Sequence, residues 1–431
     1  MRKLVVFSII AVAALVLAKL GAQSSSSNIL QFEDPAGVFA TIIGGPPFPV
    51  PNAFFQSLGT NGRSCATCHV ASDAWTIVPA HVQQRFSQTL GLDPLFRTND
   101  GTTCAGADVS TRDKAAVAYS LLLNKGLIRV QRPIPAGAEY TLVSVDDPYH
   151  CAPIPGQISV YRRPLPATNL KFLSSVMWDN RETFPDQSML ADLAQQAIDA
   201  TLGHAQALAP PNADIVNAIV AFEMGTFTAQ KNYEGVGLDR SGGLGGPEFL
   251  SSQPFFIGIN DPGQSQFDPQ VFQLFAQFGG GADSAAKASI QRGEAIFNTR
   301  SFTTPAGRNG TCSGCHDAPN SGNHSVAASL SIGVADAPNR TQDMPLFTFY
   351  CPALNQTIQT TDPGSALTTG RCADIGKFKV PSLRALSARA PYFHDGSAAS
   401  LNDVVEFYDN HFQIGLSVQE KADLVAFLGS L

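Results

Sequence analysis

Residues 65–69 read Cys-Ala-Thr-Cys-His, and the pattern returns once, at 312–316, as Cys-Ser-Gly-Cys-His. C-x-x-C-H is the attachment pattern of a c-type haem. Thiols three positions apart, Cys65 with Cys68 and Cys312 with Cys315, can each add to one vinyl group of a porphyrin. The next residue, His69 or His316, then offers a neutral imidazole nitrogen to the iron. A single copy would suit a thioredoxin-type dithiol or half of a zinc site equally well. Two copies, each followed at once by His and neither joined to a second C-x-x-C, favour two covalent haems over structural disulfides or a zinc ribbon.

The chain is 431 residues long, enough for two or three domains with separate cores. Its net charge of −7 is mildly acidic, which argues against a nucleic-acid partner and is compatible with docking a basic redox partner. Arg2 and Lys3, the apolar run Leu4 to Ala18 and the small residues Gly21 and Ala22 read as a secretion signal over 1–22. Lys19 interrupts that run, and the alternative is a retained amino-terminal anchor. The run is shorter than the roughly 20 residues of a spanning helix. The expectation is therefore an exported, periplasmic protein with no membrane segment after cleavage.

Setting aside the four motif thiols leaves Cys104, Cys151, Cys351 and Cys372, an even number that suits an oxidising compartment. Pairing 104 with 151 and 351 with 372 is the one arrangement of three in which neither bridge crosses domains. That pairing is the expectation.

In order, residues 23–50 read as an extended arm and 51–229 as a first domain with a loop-rich insertion over about 70–162. Within it, helical patterns run Thr111 to Leu123, Leu170 to Ala209 and Asp214 to Phe227. Glycine-rich residues 230–283 read as a linker and 284–431 as a second domain. The segment ending Ile219-Val-Ala-Phe222 resembles the last helix, ending Leu424-Val-Ala-Phe427, which opens with the capping box Ser417-Val-Gln-Glu420. Each half thus runs haem motif first and closing helix last, an internal duplication. The expected fold class is mainly α: two cytochrome c-like domains, each with one covalently bound haem, plus the insertion.

Three features together resemble the bacterial di-haem cytochrome c peroxidases, the superfamily that includes MauG. They are the two haem motifs, Met177-Trp-Asp-Asn-Arg181, and the run Lys379 to Gly396 containing Pro391-Tyr-Phe-His-Asp-Gly396. The resemblance covers roughly residues 50–431. It implies two cytochrome c domains facing each other, peroxide reacting at the haem on His69, and electrons passing through the haem on His316. Trp178 matches the family's Trp between the haems, whereas Trp75 has no motif around it and reads as structural.

Site residues follow by matching. The second haem's distal ligand in the family lies fourteen residues after the His of Phe-His-Asp-Gly; from His394 that is Tyr408, where typical peroxidases have Met and the MauG group has Tyr. A phenolate oxygen stabilises ferric iron and lowers the potential, which a thioether raises. O–O heterolysis needs a polar group to move a proton between the oxygens, for which the family uses Gln and Glu. Gln196 matches the first, while Gln206 stands where the Glu is expected and cannot carry a proton. His204 is then a candidate acid–base group or iron ligand, and His81 a candidate movable ligand. The family's Ca²⁺ uses backbone oxygens at positions matching Arg389 and Pro391 plus an upstream Asn, which falls near Arg162 and Arg163 here, a departure from the pattern.

These features point to a di-haem oxidoreductase reducing hydrogen peroxide, with a small redox protein, a cytochrome c or a cupredoxin, as donor. The alternatives are a MauG-like oxidase acting on a protein or small-molecule substrate and a non-catalytic electron carrier.

Overall fold

The computed structural model describes residues 28–45, 51–281, 283–304, 307 and 309–431. The secretion signal expected over 1–22 lies outside them. Helices hold 32% of residues and strands 17%, so the chain is mixed rather than mainly α. The strands come from the segments flanking and interrupting the helical pattern.

Each half is built around its C-x-x-C-H turn. In the second half the helix Ser284–Thr299 crosses the closing helix Val418–Gly429. The crossing is tight because Gly293 has no side chain: a Cβ there would stand 1.9 Å from the Asp423 carbonyl oxygen. Phe297 from one helix and Phe427 from the other meet at 5.5 Å, and Phe297 lies 6.2 Å from the His316 ring. The expected capping box is present, Ser417 accepting from the Glu420 N–H and Glu420 from the Ser417 N–H.

The first half repeats this packing with fewer parts. Its closing helix is Ala213–Met224, but only the short helical turn Ala53–Phe55 stands where the second half has a long helix. Phe54 meets Phe222 at 4.8 Å and His69 at 6.4 Å, the same imidazole–Phe–Phe arrangement as in the second half. The duplication read from two pentapeptides and two closing helices therefore extends to the aromatic core. Around it pack Ile43, Trp75, Leu170, Leu193, Val216 and Ile219.

Several boundaries differ from the sequence reading. The arm over 23–50 contains a hairpin, Ile29–Asp34 and Gly37–Ile43, which pairs antiparallel with Thr226–Tyr233. The stretch read as a linker, 230–283, begins in that strand, and its Val271, Phe272, Leu274 and Phe275 are buried in the second half's core. Its glycines made it look like a spacer; its aromatics make it core. The helical pattern over 170–209 shortens to Leu170–Phe172 and Met189–Gly203, leaving Trp178 in an irregular turn. The pattern over 111–123 divides at Tyr119 into Arg112–Ala118 and Ser120–Lys125.

The insertion is not a free rim. Its strand Thr141–Asp146 pairs with Leu346–Cys351 of the second half, which also pairs with Gln356–Thr360. The two disulfides join Cys104 to Cys151 and Cys351 to Cys372, as expected from the cysteine count. The halves are thus joined by a shared three-stranded sheet as well as by the chain itself.

Candidate functional site

The short helical turn Cys65–Thr67, opened by Ser64, brings Cys65, Cys68 and His69 to one wall of a cavity. The cavity encloses about 1550 Å³ of empty space including its open mouth. His69 Nδ1–H donates to the Trp75 carbonyl at 3.0 Å, leaving Nε2 as a free lone pair. Burial pushes the His69 imidazole down to about 4, so the ring is neutral, as a metal ligand must be. His316 is held in the same way: its Nδ1 lies 2.5 Å from the carbonyl of Gly322, again six residues on, and burial takes it down to about 4. Trp75 itself is fully buried and gives its indole N–H to Thr41 Oγ1. Its side chain is structural, but its carbonyl orients the histidine.

The residues fit a covalently attached haem at each motif. Cys65, Cys68, Cys312 and Cys315 are free thiols, while the chain's other four cysteines are cross-linked. Close pairs left unbonded beside a neutral, tethered imidazole are the donor set that thioether attachment and axial ligation require.

A further part of the lining comes from the helix Met189–Gly203 and its C-cap. Leu193, Gln196, Ala197, Ala200, Thr201 and His204 line the cavity, which is the single stripe that an i, i+3/i+4 spacing produces. Gln196 and His204 stand two turns apart on it, about 12 Å along the axis. His204 Nδ1 lies 2.6 Å from Asp100 Oδ2, and the same carboxylate takes both Arg63 contacts, at 2.6 and 2.7 Å. Burial opposes the Asp100 charge, but His204 and Arg63 together hold the carboxyl below its usual range. This carboxylate anchors the His204 ring through Nδ1.

Gln206 is not part of this wall. It has a left-handed backbone and an exposed side chain, accepts weakly from Asn61 at 3.4 Å, and borders an outer groove instead. His81, on the helix Pro79–Thr89, is half exposed, is tied by Nδ1 to Asp73 Oδ1, and does not line the cavity.

Trp178 also borders the cavity, at the junction of the halves. Its indole N–H donates to the Arg163 carbonyl at 2.8 Å, its own carbonyl accepts from the Lys379 N–H at 2.9 Å, and its ring meets His394 edge to face at 6.2 Å. His394 is buried, stacks on Phe378 at 4.1 Å, and lies 3.9 Å from Asp362 in the Arg162–Asp362–Asp179 network. Tyr408, on the helix Leu401–Phe412, lies near the second motif: burial pushes its phenol well up, and the charges of Cys315 and Cys312 add to that.

Calcium does not fit the place where the family would hold it. The Arg163 guanidinium donates to the carbonyls of Lys125 at 2.5 Å, Ile77 at 2.9 Å and Arg389 at 3.1 Å. A fixed cation already occupies the Arg389 oxygen, and a second would meet its charge.

Four site residues escaped the sequence reading. Arg63 and Asp100 carry no motif of their own, and only folding brings them to His204. Lys379 lies inside the family-like run, yet only the structure puts it on the cavity wall, where burial takes it down to about 7. Glu223 does have a signal: it directly follows Phe222, where the second half has Leu428 after Phe427. A charge in place of Leu on a repeated core face marks the position.

Among proteins of known function, the chain is 31% identical over 177 residues to the cytochrome-c peroxidase IdrP1 of Denitromonas iodatirespirans, covering 36% of this chain and 44% of that one. It is 35% identical over 134 residues to the cytochrome-c peroxidase IdrP2 of the same organism, covering 28% and 36%. A methylamine utilization protein MauG, from Methylophilus methylotrophus, is 40% identical over 65 residues, covering 12% and 19%. The match spans less than half the length of each of these relatives. No family profile matches the chain. A MauG-like protein associated with microbial copper homeostasis aligns in structure at a TM-score of 0.40 and 18% identity, covering 88% of this chain and 87% of that one. The sequence relatives are cytochrome-c peroxidases and a MauG by name, and this chain carries two C-x-x-C-H turns of its own. Over these partial stretches the chain is similar to bacterial cytochrome-c peroxidases and to MauG.

Proposed function

We propose that the chain is an exported di-haem oxidoreductase that reduces hydrogen peroxide at the His69 site with electrons entering at the His316 site. The observation that carries this reading is the cavity, with a tethered neutral imidazole and a carboxylate-anchored imidazole both in its lining. When bound, the haem supplies an iron that exchanges electrons and accepts an oxygen ligand. His69, held through Nδ1, would present Nε2 to that iron. His204 Nε2, with Asp100 behind it, is the group that moves a proton, the role the expected Glu would fill. Gln196 is a neutral amide on the same wall, suited to hold peroxide by hydrogen bonds. Converting one peroxide to two waters consumes two electrons and two protons. Trp178, bonded to both halves, is the side chain on the path between the sites. The donor is a small soluble redox protein, a cytochrome c or a cupredoxin, and the two disulfides support a periplasmic setting.

Tyr408 supports a second reading, a MauG-like oxidase, because a phenol near the Cys312–Cys315 pair would stabilise ferric iron in the second haem. A haem-stained denaturing gel tests attachment. Stopped-flow addition of peroxide to the fully ferric protein then separates the two: direct formation of a high-valent spectrum supports the oxidase, and a need for prior one-electron reduction supports the peroxidase. A protein whose haems stay low-spin and refuse cyanide in both oxidation states is an electron carrier, and the enzyme reading fails.

A further inference from the structure

Glu223 is an ionisable group inside the apolar core of the first half. It sits in the closing helix Ala213–Met224, is 6% exposed, and borders the cavity that holds Cys65, Cys68 and His69. Its Oε2 has no hydrogen-bond partner among the described residues. Leaving a carboxyl oxygen so placed without a partner costs about 1–3 kcal/mol, more if the group is charged, so a use is implied rather than a packing role.

The charged groups around it, Lys379 apart, are engaged elsewhere. Of the elements packed on its helix, Ala53–Phe55 carries no charge. On Leu170–Phe172, Lys171 donates to the Gln253 carbonyl. On Met189–Gly203, Asp192 accepts from the Phe184 N–H and Asp199 from Gln195. Across the cavity, Arg63, Asp100 and His204 bond to one another, and Arg162 and Arg181 bond to Asp179. Lys379 also borders the cavity, on the side of Trp178 and Ser382. The group that registers the Glu223 charge is Cys65, whose thiol burial and Glu223 together push up to about 12. Burial alone takes the Glu223 carboxyl up to about 8.

We infer that Glu223 takes up a proton when the haem attached at Cys65 and Cys68 is reduced, making that haem, and not the one at Cys312 and Cys315, a proton-coupled redox centre. The inference rests on the haem reading above. The balance is simple: an external one-electron donor reduces iron from ferric to ferrous, and the Glu223 carboxylate gains one proton from solvent. Adding an electron to a buried site without a compensating proton leaves an extra unscreened negative charge beside a carboxylate. Protonation removes it. The matching position in the other half is Leu428, which cannot do this, so the molecule carries its own control.

The test is a mediated spectroelectrochemical titration of both haems at a series of pH values. The midpoint potential of the first haem is expected to fall tenfold in its reduction equilibrium per pH unit, about 59 mV for one electron. The fall spans the interval between the carboxyl's pKa in the two oxidation states and is flat on either side. The second haem stays flatter, and E223Q flattens the first. An equal slope in E223Q, or no slope in the unsubstituted protein, overturns the inference. Reduced-minus-oxidised infrared difference spectra of the unsubstituted protein read the same event without a variant, as a carboxylic acid band gained on reduction and shifted in D₂O. Absence of that band also overturns it. A colourless protein would instead refute the haem reading itself, so the two failures are distinguishable.

Discussion

Trp178 and His394 meet edge to face at 6.2 Å, one from each half of the chain. The indole is fixed at three points: its N–H on the Arg163 carbonyl, its backbone carbonyl on Lys379, and its ring against the buried imidazole. No part of that arrangement depends on a neighbour in sequence beyond the turn that carries Trp178. It is a contact made by docking the two halves.

Replacing Trp178 with Phe removes the N–H and the larger π-system while keeping an aromatic in place. Peroxide turnover with an external donor is expected to fall on the order of tenfold, about 1.4 kcal/mol of barrier, with haem content and both optical spectra unchanged. Turnover at the parental rate would remove Trp178 from the path.

His204→Gln leaves a hydrogen-bonding side chain but no proton shuttle. Its effect on kcat/KM for peroxide should lie near the lower end of the roughly 10²–10⁴-fold range for general acid–base groups. Asp100→Asn should produce a smaller loss and a displaced pH profile, because it weakens the anchor on the His204 ring without removing the ring. Equal rates in all three proteins across pH would leave the cavity wall without an acid–base role.

Tyr408→Phe and Tyr408→Met separate a ligand from a bystander. If the phenol oxygen binds the second iron, Phe opens that position to cyanide, and Met gives a low-spin haem of higher potential. A bystander would leave the second haem's spectrum and potential as they were.

The disulfides should differ in worth. Their sequence separations are 47 and 21 residues, and the loop-entropy relation assigns about 4 and about 3 kcal/mol to loops of those sizes. Cys104→Ser/Cys151→Ser should therefore lower stability more than Cys351→Ser/Cys372→Ser in denaturant titrations.

Chelation should have no effect. With the Arg163 guanidinium on the carbonyls of Lys125, Ile77 and Arg389, prolonged EDTA treatment is expected to leave both the melting temperature and the haem spectra where they were. Arg163→Ala, which strands three buried carbonyls, should cost several kcal/mol. Metal analysis that finds stoichiometric calcium in the parental protein would contradict this account.

Local pattern made much of the molecule readable. The C-x-x-C-H turns and the closing helices with their caps are each written in a few neighbouring residues, and the cysteine pairing followed from which segments share a domain. What misread was also local: glycines at 242–246 and 279–281 suggested a spacer, although Val271 to Phe275 beside them are core. The helical run over 170–209 failed because the turn carrying Trp178 is held by tertiary bonds to Arg163 and Lys379, which outweigh propensity.

By itself the sequence marked the candidate porphyrin-holding residues and the duplicated plan. Those features depend on short spacings, which the backbone geometry of one turn or helix enforces. Only the folded chain decided which groups line the cavity beside Gln196 and His204, that Gln206 leaves it, that Arg163 stands where a calcium ion would, and that the buried Glu223 Oε2 has no partner among the described residues. These depend on how distant segments meet around one cavity, which no single periodic stretch of the chain records.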